Sequence, residues 1–521
     1  MRLINSQTIK FHEFEQSSSE VPPYAILSHT WGDEEVTFRD MNSEPMVAVT
    51  QKKGYAKIME TCRLAHEQNL KYVWIDTCCI DKSSSAELSE SINSMFKWYE
   101  HAAVCYVFLS DFNPDKMELG DCRWWTRGWT LQELLAPETL IFYDAAWNPV
   151  GTNGSLITEI SKITRIEEVY FQHIQRKYMI FQCPVSKRME WASCRQTTRT
   201  EDQAYCLLGI FGINMPLLYG EGHMAFRRLQ EEIIKRNSDM TIFFWDWPEN
   251  DVSGPERKGL PLDELQLSSL FAESPSAFRT VDSLSPFLSV FPEFFITNKG
   301  VFFSHTLQLS VVKVPGTDYR LYGFWVGQDC HTTPQGILLR KVGPGVYCRV
   351  RHITVRREAA IWKASDTSFY IIPDPGPDTE AKIYQYRTNA FHIPHTEQFH
   401  LQRVSPRRLF DATDRIFLHT PITLMGWVKR GMQYSMAAVQ VEARLGSANV
   451  ELIVLFNYSY VKIFDRKRYP EEAEFLFGGE NEENPICFSD LSKNMGDMPH
   501  REIALKSCYL KTRKQRYQSH S

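Results

Sequence analysis

The sequence lacks the motifs that mark several large enzyme classes. No GxGxxG, GxxxxGK[ST] or GxSxG occurs in a fitting context, so kinases, Rossmann dehydrogenases and α/β-hydrolases are excluded. No Cys-x-x-Cys pair occurs among the 12 cysteines, so neither a zinc site nor a thioredoxin-like redox site is expected. The cysteines are scattered and mostly lie in apolar segments, which indicates free buried thiols in a reducing compartment.

Long apolar runs and a strong charge imbalance are also missing. No run approaches the roughly 20 residues of a membrane-spanning helix, and MRLINSQTIKFHEFEQ has no apolar segment of the kind found in secretory signals. A net charge of −5 gives no reason to expect nucleic-acid or anionic-membrane binding. We therefore expect a soluble cytoplasmic protein with no metal, no resident cofactor and neither nucleic acid nor a membrane as a partner.

What the sequence does contain is a change of pattern along its 521 residues, which are too many for one core. Short apolar runs at 24–27, 72–76, 103–111 and 140–144 alternate with amphipathic helices. This alternation predicts an α/β domain over residues 1–150, with a parallel sheet whose faces are covered by helices.

The remaining residues divide into three parts. Residues 151–245 read as a helical extension, and 246–290 as a Pro- and Ser-rich linker. From 291 to 521, period-two stretches between Gly, Pro and Asn turns predict a β-rich domain. The basic tail LKTRKQRYQ is expected to be frayed.

Candidate site residues follow from where ligands bind to open parallel sheets. Such sheets bind ligands outside the carboxyl ends of their strands. This rule selects Ser28, His29, Trp31 and Gly32 in the first loop, and Asp76 after the second strand. The structural alternatives are that His29 only forms hydrogen bonds with the backbone and that Asp76 only caps the next segment.

The short stretch RGWTLQELLAP (127–137) carries the most informative candidate. At 100° per residue, Trp129 and Glu133 share one side of a helix that Pro137 ends, and three leucines form the other side. A glutamate flanked by indoles that exclude water is a candidate catalytic group. The alternative is a half-exposed helix acid paired with Arg127 or Arg123.

Three long blocks resemble those of the fungal heterokaryon-incompatibility (HET) domain. They are YAILSHTWG, the stretch from YVWIDTCCIDK to VCYVFLSD, and RGWTLQELLAP; later stretches extend the match over roughly residues 20–240. The resemblance implies an effector of vegetative incompatibility, which acts in fungal non-self recognition and ends in programmed cell death.

HET domains in turn look distantly like Toll/interleukin-receptor (TIR) domains. The strand YVWID ends in Ile-Asp, and W-T-L-Q-E-L is similar to the W-C-L-x-E-L helix of plant TIR domains, whose catalytic glutamate falls on Glu133. The resemblance implies a TIR-like, flavodoxin-like fold that cleaves the nicotinamide–ribose bond of NAD, with a carboxylate stabilising an oxocarbenium-like transition state.

Substrate-binding roles follow from that resemblance. NAD would be a substrate and not a cofactor, with contacts from Ser28, His29, Trp31, Gly32, Asp76, Arg127 and Trp129. Plant TIR domains have an arginine beside the first-loop glycine, where this sequence has Trp31. The phosphates of NAD would then need another cation, such as Arg123 or Arg127.

Two alternatives to an NAD-cleaving enzyme remain open from the sequence. The N-terminal domain could be a non-enzymatic signalling module that acts through protein partners or self-association. The chain could also be a regulator encoded beside other genes, with no role in incompatibility.

Overall fold

The computed structural model describes residues 1–246 apart from 16–20, 44–46 and 173–175, then residues 267–279, and shorter segments between 284 and 487. The basic tail lies outside the described residues. Among the described helices, none is both long and apolar enough to cross a membrane.

A seven-stranded sheet forms the centre of the N-terminal domain. Its strands are β1 (Arg2–Asn5), β2 (Phe11–Glu13), β3 (Tyr24–His29), β4 (Tyr72–Trp74), β5 (Val104–Phe108), β6 (Leu140–Tyr143) and β7 (Pro149–Thr152). The order across the sheet is β2-β1-β4-β3-β5-β6-β7. Strands β3 to β6 pair in parallel, and β1, β2 and β7 add antiparallel edges.

The four parallel strands confirm the predicted α/β fold. Taken in chain order, they lie in the sheet as 2-1-3-4, which is the flavodoxin-like order. Every residue of β3, β4 and β5 is buried, as expected for strands covered on both faces. The antiparallel edges were not predicted, because β1, β2 and β7 are only three or four residues long and carry no clear alternation.

Helices connect these strands. They are α1 (Phe38–Met41), α2 (Val47–Thr50), α3 (Lys53–Glu67), α4 (Asp76–Cys79), α5 (Ser85–His101) and α6 (Thr130–Leu135). In α3, the residues Ile58, Cys62 and Ala65 are buried at helical spacing. Ser84 caps α5 because its hydroxyl oxygen accepts a hydrogen bond from the amide of Glu87. The carboxylate of Glu87 accepts a hydrogen bond from the guanidinium group of Arg2 in β1 at 2.8 Å.

The predicted helical extension is present. Its helices are α7 (Ile157–Thr164), α8 (Val169–Gln172), α9 (Arg176–Gln182), α10 (Val185–Ala192), α11 (Asp202–Tyr205), α12 (Leu208–Phe211) and α13 (Met224–Ile234). The longest of them, α13, buries Phe226, Leu229 and Ile233. Gly209 of α12 packs so closely on Phe96 of α5 that an added Cβ would lie 2.2 Å from the Phe96 Cβ. The extension and the α/β domain therefore share one core.

The C-terminal part is β-rich, as predicted. An eight-stranded sheet contains β8 (Leu267–Ser268), β9 (Phe294–Thr297), β10 (Gly300–Phe303), β11 (Leu309–Lys313), β12 (Arg320–Gln328), β13 (Pro334–Gly343), β14 (Val346–Arg356) and β15 (Phe369–Ile372). Smaller sheets contain β16 (Ala390–His392), β17 (Phe399–Ser405), β18 (Phe410–Asp411), β19 (Ile416–Leu418), β20 (Ser435–Leu445), β21 (Ala448–Asn457), β22 (Tyr460–Asp465) and β23 (Ile486–Cys487).

The eight-stranded sheet packs on the helical extension. Arg349 of β14 is buried, lies over the ring of Trp245 and donates to the carbonyl oxygens of Phe243 and Trp245. Within the segment predicted as a linker, residues 267–279 belong to this contact, since buried Gln230 of α13 bonds both the amide and the carbonyl of Ala272. The domain boundaries themselves remain a prediction.

Nine cysteines have described side chains, and all nine are unbonded thiols. Eight of the nine are buried, and Cys194 is exposed. This distribution is what the scattered positions in apolar segments predicted.

Candidate functional site

The candidate site lies where the order of the parallel strands reverses. Strand β3 sits between β4 and β5, because the chain passes from β3 to β4 on one side and then crosses to β5 on the other side of β3. In flavodoxin-like sheets a crevice opens at such a point, outside the carboxyl ends of the strands. Ser28 and His29 are the last two residues of β3 and are both buried.

Glu133 reaches this point from α6. The side chain is only 8% exposed, and its Oε2 accepts a hydrogen bond from the Ser28 hydroxyl. The alternative of a half-exposed helix acid paired with an arginine is therefore wrong. All six residues of α6 are buried, including Gln132, whose amide points to the sulfur of Met95 at 3.2 Å. The expected division into a buried and a solvent-facing side fails because the polar side chains of α6 point into the α/β domain, Glu133 to Ser28 of β3 and Gln132 to Met95 of α5.

The protonation of Glu133 differs from that of an ordinary carboxyl group. Burial raises the pKa of Glu133 to about 8, and the negative charge of Asp76 acts in the same direction. The Ser28 hydrogen bond and the positive charges of Arg127 and Arg195 oppose this rise. A carboxyl group that titrates near neutral pH is able to exchange a proton during a reaction.

The indole associated with this acid is Trp124 and not Trp129. Trp124 is fully buried, and its Nε1 donates to the Ser28 hydroxyl oxygen at 2.8 Å. Trp129 precedes the first residue of α6, and its side chain bonds Asp202 of the helical extension. The sequence analysis missed Trp124 because it lies outside the helix to which the 100° rule was applied.

The other residues of the first loop form a second group around Asp76 and Glu35. Trp31 Nε1 donates to Asp76 Oδ2 at 2.8 Å, and the Gly32 amide donates to Glu35 Oε1 at 2.7 Å. His29 lies between the two acids, with Nδ1 3.8 Å from Asp76 Oδ1 and Nε2 3.7 Å from Glu35 Oε2. The structure thus brings His29, Trp31 and Gly32 into one group with Asp76, and it adds Glu35, which the sequence analysis did not select.

Glu35 is held as an anion. Burial alone would raise its pKa, but His29, the ammonium group of Lys57 and the Gly32 amide together lower the pKa of Glu35 to about 2. Lys57 also donates to the carbonyl oxygen of Thr30 at 3.3 Å, which ties α3 to the loop after β3. The loop is therefore fixed by charge-assisted bonds at the mouth of the site.

Trp31 presents an aromatic surface beside two cations. Its side chain is 43% exposed, and Lys82 Nζ lies 3.5 Å from the ring centroid. Arg123, also exposed, donates to the Trp31 carbonyl oxygen at 3.3 Å. Of the two arginines considered for the missing loop arginine, Arg123 is therefore the one placed at Trp31, and Lys82 is a cation that the sequence analysis missed.

The helical extension contributes to the site through residues 195–202. Gln196 pairs with the backbone around Arg127, with its amide on Thr126 O at 2.6 Å and its carbonyl on the Gly128 amide at 2.8 Å. Arg195 donates to the Arg127 carbonyl oxygen at 3.0 Å and to Thr130 Oγ1 at 2.9 Å. Burial lowers the pKa of Arg195 to about 10, yet it stays a cation near Glu133 at neutral pH.

Part of the N-terminal domain is similar in sequence to known proteins. Residues 24–122 match the family model of the heterokaryon incompatibility protein (HET). The chain carries a HET domain. Residues 224–291 match a second family model, a domain of unknown function. No solved structure matches the chain.

A curated relative also contains sequence like that of the HET domain. The chain is 45% identical over 231 residues to the vegetative incompatibility protein HET-E-1 of Podospora anserina, over 42% of this chain and 16% of that protein. The chain thus spans under a fifth of the length of this relative. The span matched by the HET model ends at Cys122, so Trp124, Glu133 and Arg195 all lie beyond it.

Proposed function

We propose that this chain is an effector of heterokaryon incompatibility whose HET domain hydrolyses NAD, with Glu133 as the catalytic residue. The HET match and the 45% identity to a vegetative incompatibility protein support the biological role. The observation that carries the enzymatic part is the placement of Glu133, a buried carboxyl group bonded to Ser28 at the switch point of a flavodoxin-like sheet. The free thiols of the described residues support a reducing compartment such as the cytoplasm.

The chemistry needs a negative charge close to the ribose. When the bond between nicotinamide and ribose C1′ breaks, its electron pair leaves with nicotinamide and positive charge develops on the ribose. A carboxylate held in a buried site stabilises that charge more strongly than water does. A water molecule then adds to C1′ and loses one proton, which gives nicotinamide and ADP-ribose.

The loop after β3 suits the rest of a dinucleotide. The exposed indole of Trp31, fixed by its bond to Asp76, offers a flat surface on which a base can stack. Lys82 and Arg123 lie at this indole and provide the positive charge that a diphosphate needs. These contacts support a phosphate-bearing substrate, and they replace the loop arginine of plant TIR domains.

The direct test is incubation of the concentrated full chain with NAD while nicotinamide release is followed. Glu133→Gln keeps the size and the hydrogen-bonding capacity of the side chain but removes the charge, and we expect it to slow release by about 10²-fold or more. Glu138→Gln is the matched control, because Glu138 is exposed and lies five residues further along the chain. A folded Glu133→Gln protein that releases nicotinamide at the rate of the parent would exclude this role.

A further inference from the structure

Three side chains form an ordered series of hydrogen bonds in the core of the N-terminal domain. Trp124 Nε1 donates to Ser28 Oγ at 2.8 Å, and Ser28 Oγ donates to Glu133 Oε2. An indole N–H can only donate, so the Ser28 oxygen must accept this bond. Among the described residues, the structure offers the Ser28 hydroxyl hydrogen no acceptor other than Glu133. The direction of both bonds is therefore fixed.

This direction decides which oxygen of Glu133 carries a proton. Oε2 accepts from Ser28, and a carboxyl oxygen that carries a proton is the weaker acceptor. A proton on Glu133 therefore resides on the other oxygen, Oε1. Ser28 is fully buried, so its hydroxyl group cannot turn to bulk water and reverse the direction of these hydrogen bonds.

The surroundings of Glu133 favour the neutral form. The titratable and charged groups that interact with it come from α4, α5, β5, the segment before α6 and the helical extension: Asp76, Tyr99, Cys105, Arg127 and Arg195. The two arginines favour the anion, and Arg195 spends at least two of its donors on Arg127 O and Thr130 Oγ1. Burial and the charge of Asp76 outweigh them and raise the pKa of Glu133 to about 8.

We propose that Trp124 and Ser28 are positioning residues that fix the proton of Glu133 on Oε1 in the substrate-free protein and, through their hydrogen bonds to the Oε2 side, ease the loss of that proton. Its consequence for NAD cleavage rests on the function proposed above. Glu133 passes the proton to water as the cationic nicotinamide riboside group binds, and the resulting carboxylate faces ribose C1′. The water that adds to C1′ gives its proton to this carboxylate, which restores the neutral acid.

The proton can be observed without any substrate by infrared titration of the full chain between pH 5 and pH 10. We expect a protonated carboxyl band that persists at pH 7, disappears near pH 8 and is missing in Glu133→Gln. Trp124→Phe removes the indole N–H and weakens the Ser28 bond, which should move the titration upward by about half a pH unit. Ser28→Ala removes the bond itself and should move the titration further in the same direction.

Trp125→Phe is the matched control, because the neighbouring indole is also buried but donates to the carbonyl oxygen of Leu119. We expect this variant to titrate like the parent. Absence of the band at pH 7, or equal shifts for Trp124→Phe and Trp125→Phe, would overturn the proposal. If Trp124→Phe does not fold, an unshifted titration in Ser28→Ala overturns it alone.

The experiments distinguish a failure of the proposed NAD hydrolysis from a failure of the proton assignment. A titration that shifts as expected, without any release of nicotinamide, rejects the enzymatic function and keeps the assignment of the proton. If nicotinamide is released but the titration of Glu133 is the same in Trp124→Phe and Ser28→Ala as in the parent, the function stands and the role of Trp124 and Ser28 is rejected. In an active protein, the pH at which activity reaches half its plateau should move with the infrared titration.

Discussion

Ser28 donates a hydrogen bond to Glu133 across 105 residues of sequence, and this bond joins the end of the central strand β3 to the short helix α6. The contact places a carboxyl group inside the protein, where its charged form is unfavourable. The charged form of Glu133 therefore lowers the stability of the folded protein, which leads to a prediction that does not depend on any substrate.

Glu133→Gln should stabilise the protein as the pH rises. The pKa of Glu133 in the folded protein, about 8, lies above the ordinary value of 4.5, so the folded state retains a proton that the unfolded state loses between these values. The wild type therefore loses stability from about pH 4.5 to pH 8 and no more above that. Between pH 6 and pH 8 the free energy of unfolding should fall by about 2–3 kcal/mol relative to the glutamine variant.

Denaturant titrations of both proteins at pH 6, 7, 8 and 9 would measure this difference. Glu138→Gln serves as the control and should show no comparable trend, since Glu138 is exposed. A glutamine variant that is less stable than the parent at pH 9 would show that Glu133 is a structural anion.

Gly128→Ala should destabilise the contact between α6 and the helical extension. An added Cβ would lie 2.5 Å from Thr197 Cγ2 and 3.1 Å from Cys206 Sγ, so side chains or backbone must move. We expect a loss of about 1–3 kcal/mol, measured by thermal or denaturant unfolding. Thr197→Ser should recover part of the loss by removing the methyl group. Gly154→Ala, whose nearest neighbour would be 3.7 Å away, should leave the stability almost unchanged.

Overproduction of the full chain in a fungal host should arrest growth or kill cells. The expectation follows from the HET domain and from the identity to a vegetative incompatibility protein. If the effect depends on NAD hydrolysis, Glu133→Gln abolishes it and Glu138→Gln does not. Growth arrest that persists in a folded Glu133→Gln protein would favour assembly with partners. Normal growth despite soluble expression of the parent would contradict the incompatibility role.

Limited proteolysis should cut between Trp247 and Pro286, where the sequence is rich in Pro and Ser, and the two fragments should stay together. The reason is the buried contact of Arg349 with Phe243 and Trp245 and the bonds between Gln230 and Ala272. Size-exclusion chromatography of the cut protein should give one peak that contains both fragments, and Arg349→Gln should weaken their association. Separation of stable fragments in the parent would show that the two parts are independent.

The parallel strands could be predicted from the sequence because each is a short, wholly apolar run. The rule that ligands bind at their carboxyl ends also selected Ser28 and Asp76 before any distance was known. The edge strands β1 and β2 could not be predicted in this way. Strand β1 joins the sheet by pairing with β4, which is distant in sequence, and β2 joins only through β1.

The details of the site depended on contacts between distant segments. Helical periodicity assumes that one side of a helix faces solvent, but the polar side of α6 faces the α/β domain, with Glu133 on Ser28 of β3 and Gln132 on Met95 of α5. Nothing in the spacing around residue 195 indicates that its guanidinium group reaches the carbonyl oxygen of Arg127. Trp124 was missed for the same reason, since its partner Ser28 lies 96 residues earlier.

The backbone pairing of Gln196 with Thr126 and Gly128 limits where this protein can be divided and recombined. A chimera that keeps only the sheet and α6, and takes its following helices from another protein, would lose Arg195 and the Asp202 partner of Trp129. The carbonyl oxygen of Arg127 would lose a donor, and Thr126 and Gly128 would lose their backbone partner Gln196. A segment that is transplanted with its site intact must therefore extend at least through α11 and not only to β7.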